Sequence, residues 1–369
     1  MHLRASACVA VALVAAAVGA TPAQATTSPA APIVALIDSG VNAFHQEFSY
    51  GGAGSPGQFA AWWDFTADKK PSIVLPAPGQ TWDTNVADPY DDFGHGTLSA
   101  AMAGGLGTSP QESPSGNPGA RLAIAKVLTS AGAVSGTSDT IAAAIRWAVD
   151  TVHADVINVS IGSAAPLPAA AYPAEFQALS YARSKDVLVT VANGNGFGDS
   201  LVPGDPGWAS PFACSPDVLA VGGYNTTTAG KAESLALSTD PEVVADWWAT
   251  GPLNSGTTGY TTTEYGTSFA APFVAGFADA VITAAHAAGR TLSYDQLVTL
   301  LKYSATDLWL PPQSQGYGML TRAELPAAEA HAAAGTLPPR PSPDVDGTYV
   351  ETVSGTLRQT WCGGPISGL

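Results

Sequence analysis

The sequence predicts a layered α/β fold built on a mostly parallel β-sheet, and three observations lead there. Apolar runs of strand length are continuous rather than alternating, as in Ile33-Val34-Ala35-Leu36-Ile37, which suits strands covered on both faces. Segments with helical spacing fall between these runs over most of residues 33–222. The connections are rich in Gly, Pro and Asp, notably Gly51–Gly57, Pro71–Asp92, Gly104–Gly119 and Gly194–Pro211. In such folds the loops at the carboxyl ends of strands are where ligands bind.

The first strand, Ile33–Ile37, hands the chain to Asp38-Ser39-Gly40 and so puts an acid at the end of an interior strand. Leu98–Gly104 repeats small residues at helical spacing, and Leu122–Val127 reads as a second strand. Thr140–Val152 reads as a helix because Ile141, Ile145, Ala148, Val149 and Val152 share one face. Val156–Ile161, Val187–Ala192 and Val218–Gly222 are further strands, with a helix at Phe176–Ser184. A long helix is predicted over Ser268–Ala288, with Pro272 placed in the first turn, where proline is tolerated. Helices at Ser293–Tyr303 and Ala323–Ala334 follow. Pro338–Pro343 reads as a stiff extended linker, and Thr348–Trp361 as a small hairpin or a loose tail.

His2 and Arg4 precede an apolar Ala- and Val-rich run to Ala20, then Thr21-Pro22 and the small-x-small triplet Ala23-Gln24-Ala25. That order reads as a secretory signal peptide cleaved after Ala25, so the chain is expected outside the cell. The run falls short of the roughly 20 residues a spanning helix needs, so no permanent membrane anchor is expected. The organisation is then a signal at 1–25, one α/β domain at 26–325, an Ala-rich helix and Pro-rich linker at 326–347, and a tail at 348–369. With 14 basic and 30 acidic residues the formal charge is −16, which lacks the cationic surface a phosphate backbone requires and argues against nucleic acid. Once Cys8 leaves with the signal, only Cys214 and Cys362 remain; export makes a disulfide between them available, and their spacing signals no metal site.

Three residues stand out for chemistry. His95 lies in Asp91-Asp92-Phe93-Gly94-His95-Gly96-Thr97, flanked by glycines and acids at the start of a helical pattern, as suits a general base. Ser268 follows Gly266-Thr267 at an abrupt helix beginning, where free amides favour developing negative charge. Alone it reads equally as an ordinary N-cap. Asp38 needs a hydrogen-bond partner if buried, and an imidazole would supply one. Alone it reads equally as a capping or metal-binding aspartate.

Taken in order, these segments resemble the subtilisin-like serine proteases, whose triad runs Asp, His, Ser along the chain. Val34-Ala35-Leu36-Ile37-Asp38-Ser39-Gly40 is similar to the aspartate motif and Gly94-His95-Gly96-Thr97 to the histidine motif. Gly266-Thr267-Ser268-Phe269-Ala270-Ala271-Pro272-Phe273-Val274-Ala275-Gly276 is similar to the serine motif, with Phe269 where Met is usual. Leu98 stands where a second His is usual. The resemblance implies a three-layer subtilisin-like peptidase domain, acting as a monomer on protein or peptide substrates. It implies a catalytic triad of Asp38, His95 and Ser268, and an oxyanion hole from the Asn195 side chain and the Ser268 amide. Registering Gly194-Asn195 on the family's Gly-Asn pair selects Asn195 over Asn193. Substrate would lie between Ser135-Gly136-Thr137 and Ser160-Ile161-Gly162, with Ala192-Asn193-Gly194 as the opposite pocket wall.

Only Thr26–Pro32 separate the expected cleavage from the first strand, leaving no room for the inhibitory propeptide of many secreted relatives. The Trp62–Asp92 interval reads as a lid, a docking surface or an ordinary variable loop. No cofactor is required for the chemistry. Structural calcium is compatible with the resemblance, with oxygens on Asp64, Asp68, Asp88, Asp91 and Asp92 but no ordered ligand spacing. The readings weighed against an endopeptidase are a noncatalytic protease-like peptide-binding protein and a secreted esterase. The esterase would demand a Gly-x-Ser-x-Gly elbow that Ser268 lacks.

Overall fold

The computed structural model describes residues 30–341 apart from 53–54, 56, 67–87, 110–112, 135–138, 163–170, 196–209, 226–233, 236–240, 262–263 and 311. Its strands are β1 (Ile33–Asp38), β2 (Phe59–Asp64), β3 (Arg121–Lys126), β4 (Val156–Val159), β5 (Leu188–Ala192), β6 (Leu219–Asn225), β7 (Ser234–Leu235), β8 (Val243–Asp246), β9 (Trp248–Ala249) and β10 (Glu264–Tyr265). The helices are α1 (His95–Gly104), α2 (Thr140–Trp147), α3 (Pro173–Ser184), α4 (Thr267–Ala287), α5 (Tyr294–Ser304), α6 (Pro312–Gln315) and α7 (Leu325–Ala334).

Eight strands form one sheet in the order β2-β3-β1-β4-β5-β6-β7, with β8 also pairing β6. All pairings are parallel except β6 with β7. The continuous apolar strands do what their composition requires, since both faces are covered. Val34 and Leu36 of β1 enter a core shared with α1, α4, α5 and α7, while Ile33, Ala35 and Ile37 enter a second core with α2 and α3. Three layers result, and the register sets Asp38, Lys126 and Asp64 side by side at one end of the sheet.

Several expected elements shift. The helix expected over Thr140–Val152 is α-helical only to Trp147 and closes in a π-helical turn, Ala148–Val152, before His153 at φ 56°. The strand at Val156 ends at Val159, so Ser160 and Ile161 lie beyond it. The last three residues of β2, Trp62–Asp64, lie at the start of the interval expected to be a lid, a docking surface or a variable loop. Trp62 is only 1% exposed and meets Tyr90 edge-on at 5.5 Å. Pro272 is the sixth residue of α4, in its second turn rather than its first. α4 is long and apolar because it is a core helix, with 83% of its most apolar window buried.

Among the described residues, the segment 325–341 stays against the domain. α7 packs on α4 through Leu325, Ala328 and Ala332. Arg340, in the segment expected to be a stiff extended linker, donates from Nε to the Tyr303 hydroxyl at 2.8 Å and lies over that ring. The expected signal, Asp68, Cys362 and the tail from 342 onward lie outside the described residues.

Candidate active site

β1 delivers Asp38 to a position only 1% exposed, where an ionised carboxylate must be met by donors. Oδ1 accepts from the Ser39 amide at 2.7 Å and from His95 Nδ1 at 2.8 Å, while Oδ2 lies 3.0 Å from the same nitrogen. A carboxylate can only accept there, so Nδ1 carries the proton and the Nε2 lone pair is free to take one. Burial pulls the His95 pKa down, but the charge and hydrogen bond of Asp38, with the charge of Asp91, hold it above the usual histidine value.

His95 is the first residue of α1 and is clamped from behind. Asp91 Oδ1 accepts from Ser39 Oγ, Phe93 N and Gly94 N, and its Oδ2 accepts from Thr97 N and Oγ1. The Ser39 hydroxyl oxygen in turn accepts from Gly96 N at 2.8 Å. Asp91 thereby serves otherwise unpartnered amides at the helix start while tying the helix to β1. Gly96 has to be glycine, because a Cβ there would sit 2.3 Å from the Gly40 carbonyl oxygen. Beneath this layer Lys126, 1% exposed, gives its three protons to Ser39 O, Leu128 O and Asp92 Oδ1 at 2.7, 2.7 and 2.6 Å. The imidazole lies between the rings of Phe93 and Phe269, with centroids at 6.4 and 5.3 Å.

Phe269, in ring contact with His95, directly follows Ser268 in α4. Ser268 is the second residue of α4 and not its cap, since Gly266 holds the cap position with no side-chain bond. Its hydroxyl is partly exposed and forms no hydrogen bond to His95 in this structure; such contacts often close only when substrate binds. The Ser268 amide, at the positive end of a 21-residue helix, meets no acceptor among the described residues. Asn195 is oriented by Thr267, whose N and Oγ1 both donate to Asn195 Oδ1 at 2.8 and 3.0 Å. Only a carbonyl oxygen can accept these protons, so the Nδ2 end of Asn195 is left free for another acceptor.

The other expected residues divide. Ser160 is buried, and its hydroxyl donates to the Ser268 carbonyl at 2.8 Å. Ile161 is buried and accepts at its carbonyl from Ser210 Oγ, while Gly162 is exposed. Ala192 and Asn193 are buried at the end of β5, and the Gly194 amide donates to Thr267 Oγ1 at 3.1 Å. Ser135-Gly136-Thr137 lie outside the described residues; just before them Val134 bridges back to Leu128, and Phe93 packs over Gly132. Cys214 is buried and disulfide-bonded.

The acids named for calcium make no ligand set among the described residues, where no group of three His, Cys, Asp or Glu side chains converges. Asp64 accepts from Thr66 and Tyr90, Asp88 from Tyr50, Asp91 from the helix start and Asp92 from Lys126. Sequence reasoning missed the supporting residues Ser39, Thr97, Lys126 and Thr267. The one signal present was the Asp91-Asp92 pair directly before Gly94-His95.

The Subtilase family matches residues 30–319. Among solved structures the chain is similar to sphericase, at 27% identity over 81% of this chain and 88% of that one, with a TM-score of 0.55. It is also similar to the epidermin leader peptide processing serine protease of Staphylococcus aureus, at 20% identity, 82% and 75% coverage and a TM-score of 0.59. A lanthipeptide protease matches at 24% identity, 80% and 86% coverage and a TM-score of 0.57.

Proposed function

Because the chain belongs to the subtilase family of serine proteases, we propose that it is an exported endopeptidase with Ser268 as nucleophile, His95 as general base and Asp38 as its charge partner. The observation that carries this is the 2.8 Å bond from His95 Nδ1 to a buried carboxylate, which leaves Nε2 as the basic nitrogen available to Ser268. Nε2 takes the Ser268 proton as Oγ attacks the scissile carbonyl. The imidazolium so formed is stabilised by Asp38 and returns the proton to the leaving amine. An acyl-enzyme remains, and water activated by the same histidine hydrolyses it.

The developing oxyanion is met by the Asn195 Nδ2 and the Ser268 N–H, the two donors without acceptors here. Asn195 is held by two bonds at its other end, so it need not reorganise as charge develops. An extended substrate adds as a strand between Ser135–Thr137 and Ser160–Gly162, with Ala192–Gly194 closing the pocket wall. Release from the cell follows removal of residues 1–25 as a signal.

The test compares wild-type and Ser268→Ala protein with a serine-reactive fluorophosphonate and with casein, in the presence of calcium. Labelling and internal cleavage that vanish together in the variant are expected. A folded wild-type protein that neither labels nor cuts would point instead to a noncatalytic peptide binder.

A further inference from the structure

Resting on the nucleophile assigned above, we propose that Ser160 is a positioning residue that supplies the hydrogen bond Pro272 removes from the Ser268 carbonyl. In an uninterrupted helix that carbonyl would accept from the N–H of residue 272. Pro272 has no N–H, and its ring presses on the same carbonyl. The oxygen is therefore turned out of the helical ladder at the residue that carries the reaction. The Ser160 hydroxyl fills the gap at 2.8 Å.

The direction of that bond is fixed by its neighbours. Asn158 Nδ2 donates to Ser160 Oγ at 2.9 Å, so the single Ser160 proton points to Ser268. The Asn158 amide is itself set by Thr190, whose hydroxyl donates to Oδ1 at 3.1 Å. Asn158 and Thr190 are direct partners across β4 and β5, and Ser160 lies two residues beyond Asn158. All three side chains are buried.

The bond fixes the peptide plane after Ser268, while the Thr267–Asn195 bond fixes the plane one residue earlier, between Gly266 and Thr267. The Cα of the nucleophile is thereby held on its carboxyl side while its hydroxyl and amide stay free to react. With its proton committed, the Ser160 side chain has none to donate to substrate, so its effect belongs in kcat rather than KM.

The experiment measures kcat and KM on a chromogenic oligopeptide amide for wild type, Ser160→Ala, Pro272→Ala and the double variant, alongside fluorophosphonate labelling and circular dichroism. Ser160→Ala is expected to lower kcat about tenfold with KM within about twofold, as for loss of one positioning bond. Alanine at 272 restores an N–H to the Ser268 carbonyl. The double variant should therefore match Pro272→Ala alone to within about threefold. A Ser160→Ala change confined to KM, or losses that multiply in the double variant, would overturn the proposal. Should Ser160→Ala not fold, the Pro272→Ala and double-variant pair decides alone, with equal kcat in support and a tenfold gap against. An inert wild type removes the protease reading and this one with it, whereas an active wild type with an equally active Ser160→Ala removes only this one.

Discussion

Replacing Asp38 by Asn tests the charge arrangement directly. Ser39 N–H holds the oxygen of residue 38 at the Oδ1 position, so the new amide nitrogen would take the place of Oδ2, 3.0 Å from His95 Nδ1. The imidazolium then loses a negative charge and faces a donor where it had an acceptor. Across a separation near 2.8 Å, an effective dielectric of about 20 makes the lost attraction roughly 6 kcal/mol. That is about four decades in rate, the size of effect expected for removing the acid from such a triad. The assay is kcat/KM on an oligopeptide amide, with thermal melting to show that Asp38→Asn is folded. The pH profile adds a sign. Wild-type activity should fall on the acid side above the ordinary histidine range, because His95 is held protonated there. Without Asp38 the burial of the ring acts with less opposition, so the residual activity should persist to lower pH. A folded variant that keeps more than about a tenth of the wild-type kcat/KM would refute the reasoning.

Asn195→Ala should cost about 3 kcal/mol of transition-state stabilisation, read as a fall of about 10² to 10³ in kcat with KM nearly unchanged; a loss seen in KM alone would assign Asn195 to substrate binding. Burial, with the nearby charge of Asp155, pushes the Asp279 carboxyl up to about 7, against the lowering effects of Asn117 and Arg121. The folded chain then holds a proton that the unfolded chain releases near pH 4, so stability should decline as pH rises from there to 7, by at most about 4 kcal/mol. Urea titrations of Asp279→Asn should show a flatter profile over that window, and an unchanged slope would rule the group out. Gly276→Ala would set a Cβ 2.1 Å from the Ala103 carbonyl oxygen where α4 crosses α1, and overpacking of about 3 kcal/mol should lower Tm by roughly 6 °C. Cys214 is proposed to pair with Cys362, so non-reducing peptide maps of the full-length protein should join the two peptides, and a free thiol at Cys362 would exclude it.

The central strands were legible because a strand covered on both faces needs a continuous apolar run, and β1, β3, β5 and β6 carry one. β2 escaped notice because Phe59-Ala60-Ala61-Trp62-Trp63-Asp64 has small residues at its centre and leads into a proline-rich stretch. Its strand character comes from pairing with β3, which no local signal announces. The three proposed site residues were legible as candidates because each sits in a run of glycines and small residues that constrains the backbone nearby. Their supports were not. Ser39 meets Asp91 across 52 residues of sequence and Lys126 meets the Ser39 carbonyl across 87, so these roles exist only once the sheet has formed. Pro272 shows the same limit in a single residue. The rule that proline suits a first turn applies to a helix start that lies closer to it than the real one does.

The two halves of the site are assembled by different means, and this shapes how the enzyme should fail. Asp38 and His95 are joined through Asp91, Ser39 and Thr97, so damage there should show as a misplaced base. Ser268 and Asn195 are joined through Thr267 and the start of α4. Among the described residues the halves meet through the ring contact of Phe269 with His95 and through the close crossing of α4 and α1 at Gly276. The spacing between the proposed base and the proposed nucleophile is thus a property of helix packing more than of hydrogen bonding. Proton transfer depends steeply on that spacing, since a displacement of about 1 Å can cost about 10²-fold in rate. Substitutions at the crossing, far from either reacting atom, should therefore lower kcat before they unfold the chain, while Asp38 and His95 keep their mutual bond.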